Sequence, residues 1–327
     1  MFGRRRFSLL VGFFLMAPLT AYASGGEHAL DPSLWLILAA MLIVAKLGGE
    51  VAARLGQPPV LGELCAGTVL GNLGLLGVHA FDHVADSVPV YFMAELGVVL
   101  LLFEVGLEST ISEMRRVAPT SGLVAIIGVV APMALGYGAS AWLLPESPVS
   151  LHLFVGATLC ATSVGITARV LKDLNAMRRP ETRVILGAAV IDDILGLIVL
   201  AVVASIAEVG HMPGPVQLAK IMGLAAGFLV GALLLGAYVM PRVFQTASKL
   251  NTPGVLGALA IAACLLLAGA AGAAGLAPIV GAFAAGLILD EVHVRPFGKA
   301  SAHELSELIG PIVAVTAPIF FVRTGMM

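Results

Sequence analysis

The fold is decided by Gly187-Ala-Ala-Val-Ile-Asp-Asp-Ile-Leu-Gly-Leu-Ile-Val-Leu-Ala201, an apolar stretch with two adjacent acids at its middle. A charged side chain at the centre of a bilayer costs several kcal/mol, and such residues usually mark functional sites. Neighbouring residues of a helix point about 100° apart, so Asp192 and Asp193 face different surroundings. The stretch predicts a membrane helix with a functional site at its centre. The alternative is a pair of structural aspartates, each neutral or paired to a polar neighbour.

The composition is that of a membrane protein that crosses the bilayer many times. Of 327 residues, 59% are hydrophobic and only 12% are charged, and the mean hydropathy is +1.02. Soluble domains carry about 25% charged residues. The three cysteines are scattered through apolar runs, which favours packing roles over a disulfide or metal set. The sequence contains no basic nucleic-acid patch, glycine-rich phosphate loop or zinc-ligand spacing. It therefore predicts neither a nucleic-acid partner nor a resident cofactor.

Ten membrane helices are predicted after an N-terminal signal peptide. Residues 1–23 combine three arginines, an apolar core and an Ala-Tyr-Ala ending, as signal peptides do; an uncleaved first helix is the alternative. Lysine and arginine concentrate in alternate loops, which predicts that those loops lie inside and the mature N-terminus outside. The predicted helices span residues 33–52, 59–77, 90–108, 117–144, 151–171, 184–207, 217–240, 254–272, 277–290 and 308–327.

The chain contains an internal repeat. Pro59-Val-Leu-Gly-Glu-Leu-Cys-Ala-Gly-Thr-Val-Leu70 reappears as Pro278-Ile-Val-Gly-Ala-Phe-Ala-Ala-Gly-Leu-Ile-Leu289, an offset of 219 residues (278 minus 59). The same offset superimposes Leu101–Leu107 on Phe320–Met326. The second and ninth predicted helices enter the membrane from opposite sides, so the repeat is inverted, as in many secondary transporters. At this offset the mates of the fifth and sixth helices fall after Met327, which predicts a chain truncated after its tenth membrane helix.

The fifth predicted helix is expected to be broken. Gly156, Gly165 and the hydroxyls of Thr162 and Ser163 interrupt its apolar pattern. Unwound backbone at this depth is tolerated only in a cavity or within protein, and a continuous helix that uses its hydroxyls for packing is the alternative. Freed carbonyls, hydroxyls and a carboxylate form a hard oxygen site, suited to Na⁺ rather than a soft metal. We predict that Asp193 holds either the metal ion Na⁺ or a proton, and so exchanges one for the other.

Two motifs give the chain a family resemblance. Ala161-Thr-Ser-Val-Gly-Ile-Thr-Ala-Arg-Val-Leu171, followed by Ile185–Ala201, resembles the cation:proton antiporter-2 family, and NapA-type Na⁺/H⁺ antiporters most closely. The stretches Gln57–Glu63 and Ala277–Phe283 resemble the same family. The resemblance implies an all-α, inverted-repeat antiporter fold and a homodimer in a bacterial-type inner membrane. A core domain would slide as an elevator against a dimerisation domain, and the protein would be no enzyme.

The resemblance also implies roles for individual residues. Asp193 corresponds to the carboxylate that carries the cation and the proton. Asp192 corresponds to an acid that pairs with a lysine of a later helix, and Thr162 and Ser163 correspond to hydroxyls of the broken helix. The implied domains are 33–108 and 254–327 for dimerisation, 117–207 for the first half of the core, and 217–240 as a linker helix.

Three alternative functions stay open. A Kef-like exchanger would transport K⁺ in place of Na⁺, and a chain lacking its later core helices would be a non-transporting fragment. An intramembrane aspartyl hydrolase is disfavoured, because a catalytic dyad needs facing carboxylates and adjacent helical residues point apart.

Glu104 and Arg323 depart from the family pattern, which has apolar residues at both places. They are repeat-related and oppositely charged, so we expect them to form an ion pair that offsets their burial. The alternative for Arg323 is a long stem that reaches the interface alone. Glu63 is interpreted as a helix-end or interface group rather than an ion ligand.

Overall fold

The computed structural model describes residues 33–327, apart from 80, 82, 110, 210–213, 248–253 and 290–301. The described part is helical and contains no strand. The predicted signal peptide, residues 1–23, lies outside the described residues. The α-helices are α1 (Ser33–Arg54), α2 (Pro59–Gly71), α3 (Val88–Leu107), α4 (Ile111–Leu143), α5 (Val149–Cys160), α6 (Val164–Asp173), α7 (Pro180–Val209), α8 (Pro215–Tyr238), α9 (Met240–Ala247), α10 (Val255–Ala273), α11 (Pro278–Ile288) and α12 (Ala302–Met326).

These helices account for all ten predicted segments. The fifth segment comprises two helices, α5 and α6, and the short α9 follows the seventh. Six helical segments of the described part are long and apolar enough to cross a bilayer, and α5 with α6 counts as one of them. The chain is therefore a multi-pass membrane protein. The six spans are Ser33–Arg54, Val88–Leu107, Met114–Leu143, Val149–Asp173, Val255–Ala273 and Leu305–Met326.

The helices pack as two groups. One group, which we call the scaffold, consists of α1–α3 and α10–α12, with α3 and α12 in the most extensive contact. The other, the broken-helix group, consists of α4–α7, in which α4 packs against both α5 and α7. Within the second group, α6 also contacts α2 and α3, so it lies between the two groups. The scaffold coincides with the segments predicted for dimerisation, although that role stays a prediction.

Glycine contacts in the scaffold obey the predicted repeat. A Cβ at Gly67 would overlap the carbonyl oxygen of Val322, and a Cβ at Gly286 would overlap that of Phe103. Each residue of the first contact is related to one of the second by the offset of 219 residues, the difference between 286 and 67. Gly97 meets Thr316, its own repeat mate. The scaffold therefore has a pseudo-twofold axis that passes close to this crossing.

The turns before α2 and α11 are also copies of each other. Gly56 and Gly275 both adopt positive φ, at +72° and +79°. Three residues later, Pro59 and Pro278 each begin a helix. Only glycine takes this left-handed conformation without strain, and proline suits the first helical position because it lacks an N–H. The same turn chemistry thus precedes both α2 and α11.

The register of α3 against α12 shows that the repeat is inverted. Near the middle Gly97 meets Thr316, while towards the end of α3 Glu104 lies beside Gly310. At the start of α3, the Arg323 guanidinium stacks 4.8 Å from the centre of the Tyr91 ring. The two helices are repeat mates and run antiparallel, as the sequence predicted.

The predicted Glu104–Arg323 ion pair is wrong. Glu104 binds Lys172 of α6 at 2.5 Å, whereas the Arg323 Nε donates to the Ala85 carbonyl at 2.7 Å. The physical reason is the inversion itself, which places equivalent residues at opposite ends of antiparallel helices. Because Glu104 lies beside Gly310, it is 13 helical positions from Arg323, or about 20 Å along the axis.

Candidate functional site

The predicted break in the fifth segment is confirmed. Helix α5 ends at Cys160 and α6 begins at Val164, and the three residues between them are not helical. Ala161 and Ser163 have extended backbone, with ψ of 122° and 103°. Peptide groups here are released from the i to i−4 ladder, so they need other partners.

The two hydroxyls of the break have different surroundings. The Ser163 hydroxyl accepts a bond from the backbone N–H of Ile166 at 3.4 Å, so it serves as the N-cap of α6. The Thr162 hydroxyl lies 3.4 Å from the Cys160 carbonyl, and both it and the Thr162 N–H face Asp192. The structure thus joins Thr162 to the acid pair and gives Ser163 a structural task.

Replacing Ser163 with alanine is expected to destabilise the start of α6. An N-cap serine replaced by alanine typically costs about 1 kcal/mol. We expect the thermal midpoint of the purified protein to fall in Ser163→Ala. We expect a smaller fall in Ser163→Thr, because threonine retains a capping oxygen. An unchanged midpoint in the alanine variant would contradict the capping role.

Asp192 and Asp193 point in different directions, as expected for adjacent residues of one helix. Asp192 is buried and faces Thr162. Asp193 interacts with the backbone N–H of Ala277, which precedes the first turn of α11. The Oδ2 atom of Asp193 is buried and has no hydrogen-bond partner in the described part of the chain. One acid therefore faces the broken helix, and the other faces the N-terminus of a scaffold helix.

A cavity of about 260 Å³ lies beside the acid pair and the break. Both acids line it, together with residues of α5, the break and the part of α7 that follows the acids. No residue of α6 takes part in the lining. The cavity thus extends from the break on the α5 side. Its lining residues are Phe154, Ala157, Thr158, Cys160, Ala161, Thr162, Asp192, Asp193, Gly196, Leu197 and Leu200.

The chemistry of this site is that of hard oxygen ligands. It presents two carboxylates, a hydroxyl and the peptide groups of a helix break, around one cavity. Such groups suit protons and small hard cations. The carboxylate with an unpartnered buried oxygen is the group that gains most from binding one, because an unpaired buried oxygen is costly.

Sequence reasoning missed a second polar cluster at the far end of α6. Arg169 forms an ion pair with Asp173 at 3.0 Å and approaches Glu63 at 3.8 Å. Lys172 forms the ion pair with Glu104. Arg169, Lys172 and Asp173 are three and four residues apart, which places them on one helical face. That spacing was the available signal, but it does not identify partners on other helices.

Comparisons with known proteins agree on one kind of protein. A family model described as "Sodium/hydrogen exchanger, transmembrane" matches residues 37–327. The chain is 37% identical to the high-affinity Na(+)/H(+) antiporter NhaS3 of Synechocystis sp., over 94% of this chain and 72% of that protein. It is 33% identical to the Na(+)/H(+)-K(+) antiporter GerN of Bacillus cereus, over 88% of this chain and 70% of that protein.

A solved structure has the same fold. The sodium proton antiporter MjNhaP1 from Methanocaldococcus jannaschii superimposes with a TM-score of 0.60 at 16% identity. The match covers 90% of this chain and 71% of that one. The architecture of an antiporter is therefore shared, although few side chains are.

Proposed function

We propose, since this chain belongs to the sodium/hydrogen exchanger family, that it is a membrane antiporter exchanging a monovalent cation for protons. The observation that carries the proposal is the meeting of Asp192, Asp193 and Thr162 at one cavity, beside a broken helix. Proteins of this family and the relatives named above are transporters, so transport rather than catalysis is the function to test.

Asp193 is the proposed shared ligand. Its carboxylate interacts with the backbone N–H of Ala277. Its Oδ2 atom is buried and has no hydrogen-bond partner in the described part of the chain. A carboxylate in this position is neutralised either by H⁺ or by a small cation. If only one binds at a time, each displaces the other, and inward movement of one drives outward movement of the other.

Na⁺ is the proposed substrate. The hard oxygen ligands of the break support it, as does the 37% identical relative named as a Na(+)/H(+) antiporter. K⁺ is the second candidate, because another relative is named as a Na(+)/H(+)-K(+) antiporter. Ligand type alone does not separate these two ions, since both prefer oxygen.

The proposed mechanism is an elevator. The broken-helix group would carry the bound ion across the membrane by sliding against the scaffold. Two observations support this division: the packing of the helices into two groups, and the rigid glycine crossings inside the scaffold. By the resemblance, the scaffold also forms a homodimer, and the basic loops predict that the α6 end of the broken helix faces the cytoplasm of a bacterial-type cell.

Transport by proteoliposomes tests the proposed function. The purified chain would be reconstituted with a pH-sensitive dye inside, and NaCl, KCl, LiCl or choline chloride would be added outside. We expect alkalinisation with Na⁺, a smaller or equal response with K⁺, and none with choline. Liposomes prepared without protein control for leakage. A response no greater than theirs with every cation would favour the non-transporting alternative.

A further inference from the structure

The far end of α6 is tied to the scaffold by three polar contacts. Lys172 pairs with Glu104 of α3, whose side chain is only 5% exposed. Arg169 approaches Glu63 of α2, whose side chain is 2% exposed. The carboxylate of Asp173 accepts a bond at 3.3 Å from the backbone N–H of Val60, in the first turn of α2, where the helix dipole favours an anion.

The start of α6 is also fixed against the scaffold, but by apolar packing. A Cβ on Gly165 would lie 2.7 Å from Val98 of α3 and 3.8 Å from Phe320 of α12. Ala168 is fully buried in the cluster that contains the central residues of α3. Helix α6 has ten residues and is therefore a rod of about 15 Å. It connects the break at the ion site to the ion pairs at its far end.

The ion pairs and the cavity lie on opposite sides of the break. The cavity is lined from α5 and from the part of α7 after the acids, while the ion pairs surround the last turn of α6. In this conformation the cavity thus lies on the α5 side of the break, and the α6 side is packed against the scaffold. A site that alternates between the two faces must open the packed side in its other conformation.

We propose that the Glu104–Lys172 ion pair is a latch that holds α6 against the scaffold and so keeps the α6 side of the site closed. The inference rests on the proposed exchange function and adds two positioning residues to it. Neither Glu104 nor Lys172 lines the cavity. They act by fixing where the break stands relative to the scaffold, and the pair must separate each time the α6 side opens.

The latch joins the two groups, which distinguishes it from the Glu50–Arg54 and Arg169–Asp173 ion pairs. The Arg169–Glu63 contact also joins the groups, but at 3.8 Å, whereas the latch closes to 2.5 Å. Arg54 and Glu50 lie on one helix and are 77% and 59% exposed, so their pair does not depend on the position of α6. Arg169 and Asp173 both lie on α6 and move together. Lys172 and Glu104 lie on different groups, and Glu104 is buried, so separating them exposes a charge that the closed form neutralises.

Accessibility of α6 provides the test. Ala168→Cys would be introduced into a full-length chain whose three native cysteines are replaced by alanine, and labelled with a maleimide that does not cross the membrane. We expect Glu104→Gln to raise the labelling rate about tenfold, within the usual range of coupling between sites. We expect the charge exchange Glu104→Lys with Lys172→Glu to restore slow labelling, and Glu50→Gln to leave it unchanged.

Hydrogen exchange gives a second measurement that needs no cysteine replacement. Amides of Val164–Asp173 should exchange faster in Glu104→Gln than in the unaltered chain, while those of α3 and α12 around Gly97 should not change. Thermal midpoints of each variant separate opening from unfolding. Unchanged labelling and exchange in Glu104→Gln would overturn the latch. So would faster labelling that the charge exchange does not reverse, since that result indicates a general loss of packing.

Transport kinetics separate the latch from the proposed function. In a variant that lacks the ion pair, the α6 side opens without having to separate the pair, so a larger fraction of molecules is competent to bind from that side. In Glu104→Gln we therefore expect the KM for Na⁺ on the α6 side to fall about fivefold or more, with a smaller change in maximal rate. An unaltered KM would argue against the latch. Absence of transport in the unaltered chain would instead refute the exchange function, and the labelling result would stand by itself.

Discussion

Exchange of cations for protons is expected to be lost when Asp193 is replaced by asparagine. The amide keeps the size of the side chain but removes its negative charge. It neither takes up a proton in this pH range nor balances the charge of a bound cation. Mutating a residue that only supports a metal ligand already lowers metal affinity or activity about 10–100-fold. Loss of the ligand itself should therefore lower the transport rate at least about a hundredfold. The measurement is the initial rate of Na⁺-dependent pH change in proteoliposomes at matched protein content.

A matched control is available on the surface. Glu50→Gln also removes one negative charge, from a carboxylate that is exposed and paired only within α1. We expect its transport rate to stay within about twofold, because exposed ion pairs contribute about 0–1 kcal/mol. If Asp193→Asn exchanged ions at the unaltered rate, Asp193 would not be the shared ligand and the acid facing Thr162 would become the next candidate.

Protein stability is expected to depend on Gly97. Its hydrogen faces the Thr316 carbonyl where α3 crosses α12, and a Cβ there would overlap that oxygen. Alanine would force two backbones apart, and overpacking of this kind costs about 1–3 kcal/mol or more. For chains of 150–250 residues the thermal midpoint shifts by about 2–4 °C per kcal/mol, so a clear fall is expected in detergent-solubilised protein.

Gly257 supplies the comparison. It lies within α10, where, apart from the neighbouring residues and backbone of the same helix, no described atom comes within 4 Å of the position of a Cβ. Alanine is favoured over glycine in helices by about 0.8–1 kcal/mol, so Gly257→Ala should leave the midpoint unchanged or raise it. Equal midpoints for the alanine variants of Gly97 and Gly257 would show that the crossing tolerates an extra methyl group, against the packing described.

Much of the helical plan follows from the sequence because the bilayer imposes it. Apolar runs of membrane-spanning length separated by basic or turn-forming loops leave little freedom, and every predicted segment corresponds to a described helix. The break at Thr162 and Ser163 was also predictable. Clustered hydroxyls between Gly156 and Gly165 weaken a helix, since such side chains offer the backbone other partners.

The incorrect ion pair shows where sequence reasoning failed. The offset relating Glu104 to Arg323 is real, but an inverted repeat brings equivalent residues together only at its axis, where Gly97 meets Thr316. Glu104 and Arg323 lie away from that axis, so the inversion places them at opposite ends of the antiparallel pair. The actual partner of Glu104 was not predictable. Lys172 lies in the broken-helix group, and its distance from α3 depends on the direction that α6 takes after the break. The local sequence pattern does not predict that direction.

The acid pair is a third case, because the direction of each carboxylate was predictable from the sequence but its surroundings were not. Helical geometry alone predicted that Asp192 and Asp193 point apart. It did not predict that Asp193 meets the N–H of Ala277, because this contact joins α7 to the turn before α11. Contacts between segments so distant in sequence depend on the packing of whole helices.

The crossings of the scaffold have a consequence for sequence variation. At Gly67, Gly97 and Gly286 the opposing atom is a backbone oxygen, not a side chain. A larger residue there has no neighbour that can shrink in compensation, so a second substitution cannot restore the fit. We expect each of these glycines to be invariant among relatives without covarying with another position. Glu104 and Lys172, in contrast, should covary. In an alignment of relatives, invariant glycines would therefore identify the scaffold, and covarying charged pairs would identify its contact with the broken-helix group.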